Sequence, residues 1–274
     1  MLKRSITSVF IVAVAVGFFA LRLIDIRFFN VLVFLMALLS TIELTNALKN
    51  DLTKLDKGLI IAYTCIAFII VTIMPKYLVR LSLVYLIFAI ALTILIDPAK
   101  SINSLAKMVF AFIYPTVPLL TLVLMNYYGK FSWYILIVAF TTSSFTDVGA
   151  YLIGSLFKGK KLCPSISPNK TISGCIGGIL GGILATFASY YLLKLANFSV
   201  IGSGKLTTIL LLIASGILFS VTTQVGDLFE SWLKRRLDVK DMGNLMPGHG
   251  GMLDRVDGLT FTSIITFVLY SFLI

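Results

Sequence analysis

A charged segment near the C-terminus carries the residue types that phosphate and metal chemistry require. It covers residues 226–259, reads GDLFESWLKRRLDVKDMGNLMPGHGGMLDRVDGL, and contains the only histidine of the chain. Charges of both signs alternate with glycines, and apolar runs stand on either side. This composition favours a binding site for a phosphorylated, metal-bound ligand over an ordinary connecting loop.

Carboxylates in or beside apolar runs are a second signal. Asp147 and Asp227 lie within such runs, and Asp257 opens the last one. An aspartate at the centre of a membrane helix costs about 2.5 to 3.5 kcal/mol on insertion scales, so it is usually functional or paired. Asp254 and Asp257 are three residues apart and share one face of a helical turn. Together with Asp227 they predict a Mg²⁺ site shared with substrate phosphates.

These carboxylates also have simpler interpretations. The helix dipole alone favours acidic residues in the first turn of a helix, and Asp147 is explained equally well as a satisfied intramembrane polar group. Glu230 and Lys234, four residues apart, are interpreted as an exposed helical pair. Glu43, near the end of an apolar run, is given no role.

A second charged loop, KGKKLCPSISPNKTISGCIGG, covers residues 158–178. Lys170, Thr171 and Ser173 stand at a predicted helix start, where backbone N–H groups favour phosphate. The glycines that follow are spaced as in closely packed membrane helices; they are Gly174, Gly177, Gly178, Gly181 and Gly182. Phosphate binding by Lys170 and close helix packing are both open at this point.

The elements that position these residues are predicted to be membrane helices. Hydrophobic residues make up 58% of the chain, charged residues 13%, and mean hydropathy is +1.01, values typical of an integral membrane protein. We predict an all-α polytopic bundle of about nine spans, each near the length that crosses the hydrocarbon. They are 6–24, 27–46, 58–74, 78–96, 106–128, 132–156, 172–194, 207–229 and 257–273.

The chain is predicted to be a single membrane domain, 1–274. Within it, residues 1–130 are interpreted as scaffold and dimerisation helices, and residues 131–274 as the part that carries the catalytic site. The glycine-rich faces favour a homodimer.

Orientation follows from the basic residues. Sixteen of the 23 lysines and arginines fall on one side, which predicts a cytoplasmic N-terminus and an external C-terminus. Loops 157–171 and 230–256 then face the cytoplasm, and we expect a polar cavity there, reaching Asp227 and Asp147. Topology and anionic lipid explain the net charge of +11, so no nucleic-acid partner is expected.

One run of residues resembles the signature of the phosphatidate cytidylyltransferases, also called CDP-diacylglycerol synthases. The close match covers about thirty residues, and the SPNKT loop and the many spans agree more loosely. Met246 departs from the branched or aromatic residue expected there. The matching positions are Ser231, Lys234, Arg235, Lys240, Asp241, Pro247, Gly248, His249, Gly250, Gly251, Asp254, Arg255 and Asp257.

The resemblance implies that CTP and phosphatidate give CDP-diacylglycerol and pyrophosphate in phospholipid biosynthesis, with Mg²⁺ and a possible second cation. It places the enzyme in a bacterial-type inner (cytoplasmic) membrane, with its active site facing the cytoplasm. Metal ligands would be Asp227, Asp254, Asp257 and, more weakly, Asp147. Phosphate groups would be held by Lys170, Ser231, Lys234, Arg235, Lys240, Gly248, Gly250, Gly251 and Arg255.

His249 is assigned to the catalytic set with Asp227, Lys234, Asp254 and Asp257. Phosphate monoesters have a second pKa near 6, so the attacking oxygen hardly needs a general base. His249 is therefore interpreted as a phosphate donor or a loop-positioning group.

Two other functions are weighed. A cation-coupled secondary transporter also uses intramembrane aspartates and glycine-interrupted helices. A lipid or polyprenol kinase, or a CDP-alcohol phosphotransferase, is a related enzyme class. The DGxxAR-type motif of the phosphotransferases fails here, because Leu259, Thr260 and Phe261 follow Asp257 and Gly258.

Overall fold

The computed structural model describes residues 2–48, 51–201, 204–246, 248 and 250–272, and most of them are helical. In chain order the helices are α1 (Leu2–Leu21), α2 (Arg27–Ala47), α3 (Lys54–Ile73), α4 (Leu78–Ile96), α5 (Ile102–Ile113), α6 (Thr116–Asn126), α7 (Ser132–Phe157), α8 (Ile172–Leu195), α9 (Lys205–Arg236) and α10 (Leu253–Ser271). Short 3-10 turns, Pro75–Tyr77 and Gly129–Phe131, precede α4 and α7.

Seven helical segments in the described part of the chain are long and apolar enough to cross a membrane. The predicted first and last spans both form helices, α1 and α10. In α1 the part whose side chains the structure describes, Val12–Leu21, is apolar. In α10 the first turns carry Asp254, Arg255 and Asp257, and these charges lower its apolar character. An all-α architecture with several helices able to span a membrane is confirmed; about nine spans were predicted, and seven segments of the described residues meet the length and composition criterion.

The predicted span 106–128 is interrupted. It consists of α5 and α6, which are separated at Tyr114 and Pro115. A residue that precedes proline is disfavoured in the helical region, and proline has no N–H to continue the hydrogen-bonding pattern. The two helices together, Ile102–Asn126, still have the length of one span.

The second charged loop contains a small antiparallel hairpin that the sequence analysis did not predict. Strand β1 (Lys161–Cys163) pairs with β2 (Ser167–Thr171), and Lys161 lies opposite Thr171. Strand β2 runs directly into α8, where the Thr171 hydroxyl accepts the Gly174 N–H at 3.1 Å. The hairpin and this N-cap together fix Lys170 immediately before the helix.

The chain divides into two compact units. The first unit contains residues 1–124 and 239–256, and the second unit contains residues 125–238 and 257–274. These boundaries differ from the predicted division at residue 130, because the segment 239–256 belongs with the N-terminal helices. The assignment of scaffold and catalytic roles to two parts of the chain remains a prediction.

The first unit contains a buried ion pair. Asp56, at the start of α3, contacts Lys100, and both side chains are almost inaccessible to solvent. Thr53 and Asp56 also form a capping box, in which each side chain accepts the backbone N–H of the other residue. These contacts give the Asp56 carboxylate the partners that a buried charge requires.

In the second unit, α8 uses its glycines to approach two neighbouring helices. A methyl group built at Gly177 or Gly181 would overlap with backbone carbonyl groups of α7, those of Gly149 and Phe145. A methyl group at Gly182 would overlap with Ser220 of α9. The predicted close packing is therefore confirmed, as contacts within one chain. Because these glycines pack within one chain, they are not evidence for a homodimer. The homodimer remains a prediction.

We expect Gly181→Ala to destabilise the protein, because α7 and α8 must separate to admit the methyl group. Overpacking of this kind costs about 1 to 3 kcal/mol. The measurement is thermal unfolding in mild detergent. The control is Gly58→Ala in α3, where no atom lies within 4 Å of the new methyl group. Equal melting temperatures for Gly181→Ala and the wild type would contradict the packing.

Candidate functional site

Two predicted site residues from separate segments meet in the second unit. Lys170 Nζ, at the end of β2, lies 2.6 Å from Asp227 Oδ2 of α9. The Ser231 hydroxyl, one turn further along α9, lies 3.5 Å from Asp227 Oδ1. The Asp227 side chain is 34% exposed, so a ligand can reach it, whereas the Lys170 Nζ atom is itself buried. The structure thus joins the second charged loop to the charged end of α9.

Asp257 lies beside these residues at the start of α10. Gly226 of α9 packs against the Asp257 backbone, where a methyl group on Gly226 would come within 2.6 Å of the carbonyl oxygen. The charges of Asp227 and Lys234 act on Asp257, whose carboxylate also faces that of Glu230. Asp227 and Asp257 are therefore neighbouring carboxylates on adjacent helices.

Glu230 corrects one interpretation from the sequence. Its Oε1 lies 3.3 Å from Lys234 Nζ, as expected for residues four apart. The pair is not exposed, however, because the Glu230 side chain is completely buried and that of Lys234 is 17% accessible. Glu230 points towards the start of α10 rather than away from it. We call Lys170, Asp227, Glu230, Lys234 and Asp257 the charged cluster.

The glycine-rich part of the signature lies in the first unit; we call residues 242–253 the signature loop. The Met246 N–H donates to the Gly250 carbonyl at 2.9 Å and closes a turn. Gly248 and Gly250 have φ values of 79° and 81°, which favour glycine. Pro247 and His249 lie outside the described residues, so the role predicted for His249 remains a prediction.

Asp254 ties the two ends of the signature loop together. Its Oδ2 accepts the N–H of Met242 at 2.9 Å and the N–H of Gly251 at 2.8 Å. The side chain is buried. This geometry gives Asp254 a structural role, and its assignment as a metal ligand remains a prediction.

Glu43 of α2, to which the sequence analysis gave no role, reaches the same loop. Its carboxylate accepts the N–H of Met252 at 2.8 Å and the N–H of Leu253 at 2.9 Å. The signal that could have identified it was an acidic side chain in an apolar run, the criterion that selected Asp147. The sequence does not indicate its partners, the N–H groups of Met252 and Leu253, which lie about 210 residues further along the chain.

The remaining predicted residues lie outside the charged cluster. Arg235, Lys240, Asp241 and Arg255 are exposed, as is Asp147 on α7. The Thr171 and Ser173 hydroxyls bond to each other at 3.1 Å, and Ser173 also donates to the Lys158 carbonyl, so both are used within the fold. No group of three or more acidic, cysteine or histidine side chains in the described ranges is placed to bind a metal. The polar cavity and its cytoplasmic orientation remain predictions.

The two ion pairs of the charged cluster lead to a comparative prediction. Lys234→Met leaves the fully buried Glu230 without its cation, which costs about 3 kcal/mol or more for a buried pair. Lys170→Met also removes the cation beside Asp227, but solvent already reaches that carboxylate. The loss of this pair therefore costs about 1 kcal/mol or less. Thermal unfolding in detergent should therefore show a much larger loss for Lys234→Met. Equal losses would contradict the difference in burial.

Comparison with known proteins identifies the family. The model of the cytidylyltransferase family matches residues 2–273. Relatives named phosphatidate cytidylyltransferase include those of Brucella suis biovar 1 (42% identical over 123 residues), Mycobacterium bovis (40% over 128) and Staphylococcus aureus strain COL (39% over 126). These alignments cover 45%, 47% and 46% of this chain but only 42%, 38% and 45% of the respective relatives, less than half of each. The match over nearly the whole length shows that the chain belongs to the cytidylyltransferase family.

Proposed function

We propose that the protein transfers the cytidylyl group of CTP to phosphatidate, giving CDP-diacylglycerol and pyrophosphate. The observation that carries the proposal is the family match over residues 2–273, with relatives about 40% identical that are named for this activity. The signature residues agree with it. The protein would serve phospholipid biosynthesis as a nucleotidyltransferase.

The membrane-spanning helices suit a substrate that is itself a lipid. Phosphatidate keeps its acyl chains in the bilayer and its phosphate at the interface, while CTP arrives from water. A site near the ends of α9 and α10 can receive both if those ends face the cytoplasm, as the distribution of basic residues predicts. We propose an inner-membrane enzyme whose active site faces the cytoplasm.

In the reaction, an oxygen of the phosphatidate phosphate attacks the α-phosphorus of CTP, and the bond to the pyrophosphate leaving group breaks in line. The attacking oxygen is largely ionised near neutral pH, because phosphate monoesters have a second pKa near 6. The main task is to bring two polyanions together and align them. Cationic side chains would do this; they are Lys170, Lys234, Arg235, Lys240 and Arg255.

Asp227 and Asp257 are the residues best placed to hold Mg²⁺. One or two carboxylates together with substrate phosphates form a common Mg²⁺ site, so the pair fits the ion. When bound, Mg²⁺ would screen the phosphate charges and stabilise the leaving group. Lys170 now neutralises Asp227, and we expect its ammonium to turn to a phosphate when the substrates bind. Asp254 and Asp147 are proposed as further ligands. The same carboxylates could also bind a second cation.

The secondary transporter is the weaker alternative. The interruption of Ile102–Asn126 at Tyr114 and Pro115 is a feature that transporters also have. Membership of the cytidylyltransferase family favours the enzyme. An ion-flux assay on the same reconstituted protein would detect the transporter.

The proposal predicts pyrophosphate release from CTP that requires both phosphatidate and Mg²⁺. Asp257→Asn should lower the rate by at least about a hundredfold, because the site loses charge where it must hold a cation. The matched control is Asp97→Asn, outside the charged cluster, which should retain the wild-type rate. Release that does not depend on phosphatidate, or no release from folded protein, would contradict the proposal.

The metal assignment is tested separately by titrating Mg²⁺. Asp227→Asn should raise the Mg²⁺ concentration needed for half-maximal rate by about tenfold or more, since one carboxylate ligand is lost. Asp254→Asn distinguishes its two roles. A raised Mg²⁺ requirement identifies a ligand, whereas a lower melting temperature with unchanged Mg²⁺ requirement identifies a structural tie.

A further inference from the structure

We propose that Glu43 is a positioning residue that fixes the signature loop and the first turn of α10 for cytidylyl transfer. The inference rests on the proposed function. Glu43 belongs to α2, within the N-terminal helices predicted as scaffold. It lies in the same compact unit as the signature loop.

Both carboxylate oxygens of Glu43 are hydrogen-bonded to the backbone. Oε1 accepts the Met252 N–H and Oε2 accepts the Leu253 N–H. The first N–H groups of a helix have no partner within the helix, and a carboxylate there is also favoured by the helix dipole. Bonds from N–H groups to a charged acceptor are stronger than those to a neutral one. Glu43 is thus a cap supplied from another helix.

Two glycines leave the space that the Glu43 carboxylate occupies. Methyl groups built at Gly243 or Gly251 would overlap with its carboxylate. Gly251 has an ordinary φ, so its need for glycine comes from this close approach rather than from backbone conformation. The loop therefore forms a recess that fits the Glu43 side chain.

The carboxylates of Glu43 and Asp254 occupy backbone donors that a substrate phosphate could otherwise use. Asp254 accepts the Gly251 N–H, and Glu43 accepts the next two, so three successive N–H groups leading into α10 at Leu253 bond to carboxylates of the protein. These donors are not available to a substrate phosphate. In this unit, phosphate binding is left to side chains such as Arg255 and to the turn at Gly248 and Gly250. Glu43 acts by holding the backbone from which these groups project.

The chemistry also explains why other side chains would fail. Glutamine keeps one acceptor oxygen, but its amide N–H₂ would face a backbone N–H and leave that donor unsatisfied. Aspartate keeps both oxygens but is one methylene shorter. We expect Glu43→Asp to be less impaired than Glu43→Gln.

The test must separate positioning from general stability. The control is Thr53→Ala, which removes the capping box of α3 in the same unit and leaves the Glu43 hydrogen bonds in place. The second variant is Gly243→Ala. It keeps the Glu43 residue, but its new methyl group occupies the space of the Glu43 carboxylate. For each variant we would measure the melting temperature, backbone amide exchange over residues 242–253, and kcat and KM for CTP and phosphatidate.

Glu43→Gln and Gly243→Ala should each increase exchange in the 250–253 region and lower kcat/KM by about tenfold or more, the effect of losing one charge-assisted hydrogen bond. Thr53→Ala should lower the melting temperature while leaving kcat/KM of the folded enzyme and exchange over 242–253 unchanged. If Glu43→Gln behaves like Thr53→Ala, the inference is overturned.

Amide exchange also keeps this test distinct from that of the proposed function. If the wild type releases no pyrophosphate, the cytidylyltransferase proposal fails, and the exchange comparison still decides whether Glu43 holds the loop. Faster exchange in Glu43→Gln but not in Thr53→Ala supports that hold. Unchanged exchange in both Glu43→Gln and Gly243→Ala overturns it, whatever the activity.

Discussion

Pairing of charge in an apolar chain is the constraint on which the rest of this structure depends. A buried ion costs several kcal/mol unless partners replace the water that it loses. Asp56 meets this requirement with Lys100, and Glu230 meets it with Lys234. Glu43 meets it with two backbone N–H groups rather than with a cation. The pairings of Asp56 and Glu43 join distant parts of the chain, so the demand for partners also specifies which segments come together.

Close helix packing supports the same arrangement. The glycines of α8 bring its backbone against α7 on one side and α9 on the other. The hairpin that precedes α8 is thereby held where Lys170 reaches Asp227. A wider spacing between these helices would separate the two residues, so the contact between Lys170 and Asp227 depends on the small side chains of α8.

Local features of the chain were accessible from sequence, and long-range partners were not. Apolar runs predicted the helices, and the proline at position 115 explains the one span that divides. Lys170 and Asp227 were each selected by a separate argument, and the structure places them in contact. Glu43 and Glu230 were visible as acidic residues near apolar runs, but nothing local shows that Glu43 meets the start of α10 or that Glu230 turns inward. The exposure of Asp147 likewise depends on which face of α7 is covered by other helices. Apolar residues occur on every side of α7, so the sequence does not indicate that face.

The composition of the first unit has a consequence for how this protein can be divided. Residues 239–256 leave the neighbours that precede and follow them in the chain and fold with helices from the opposite terminus. A fragment starting after residue 124 would contain all the charged cluster and the whole signature loop, yet it would lack the carboxylate that caps α10. Exchange of N-terminal helices between relatives, whether by recombination or by chimera construction, must therefore carry a compatible acceptor into the recess at Gly243 and Gly251. α2 and the signature loop therefore form one unit of exchange, although about 200 residues of sequence separate them.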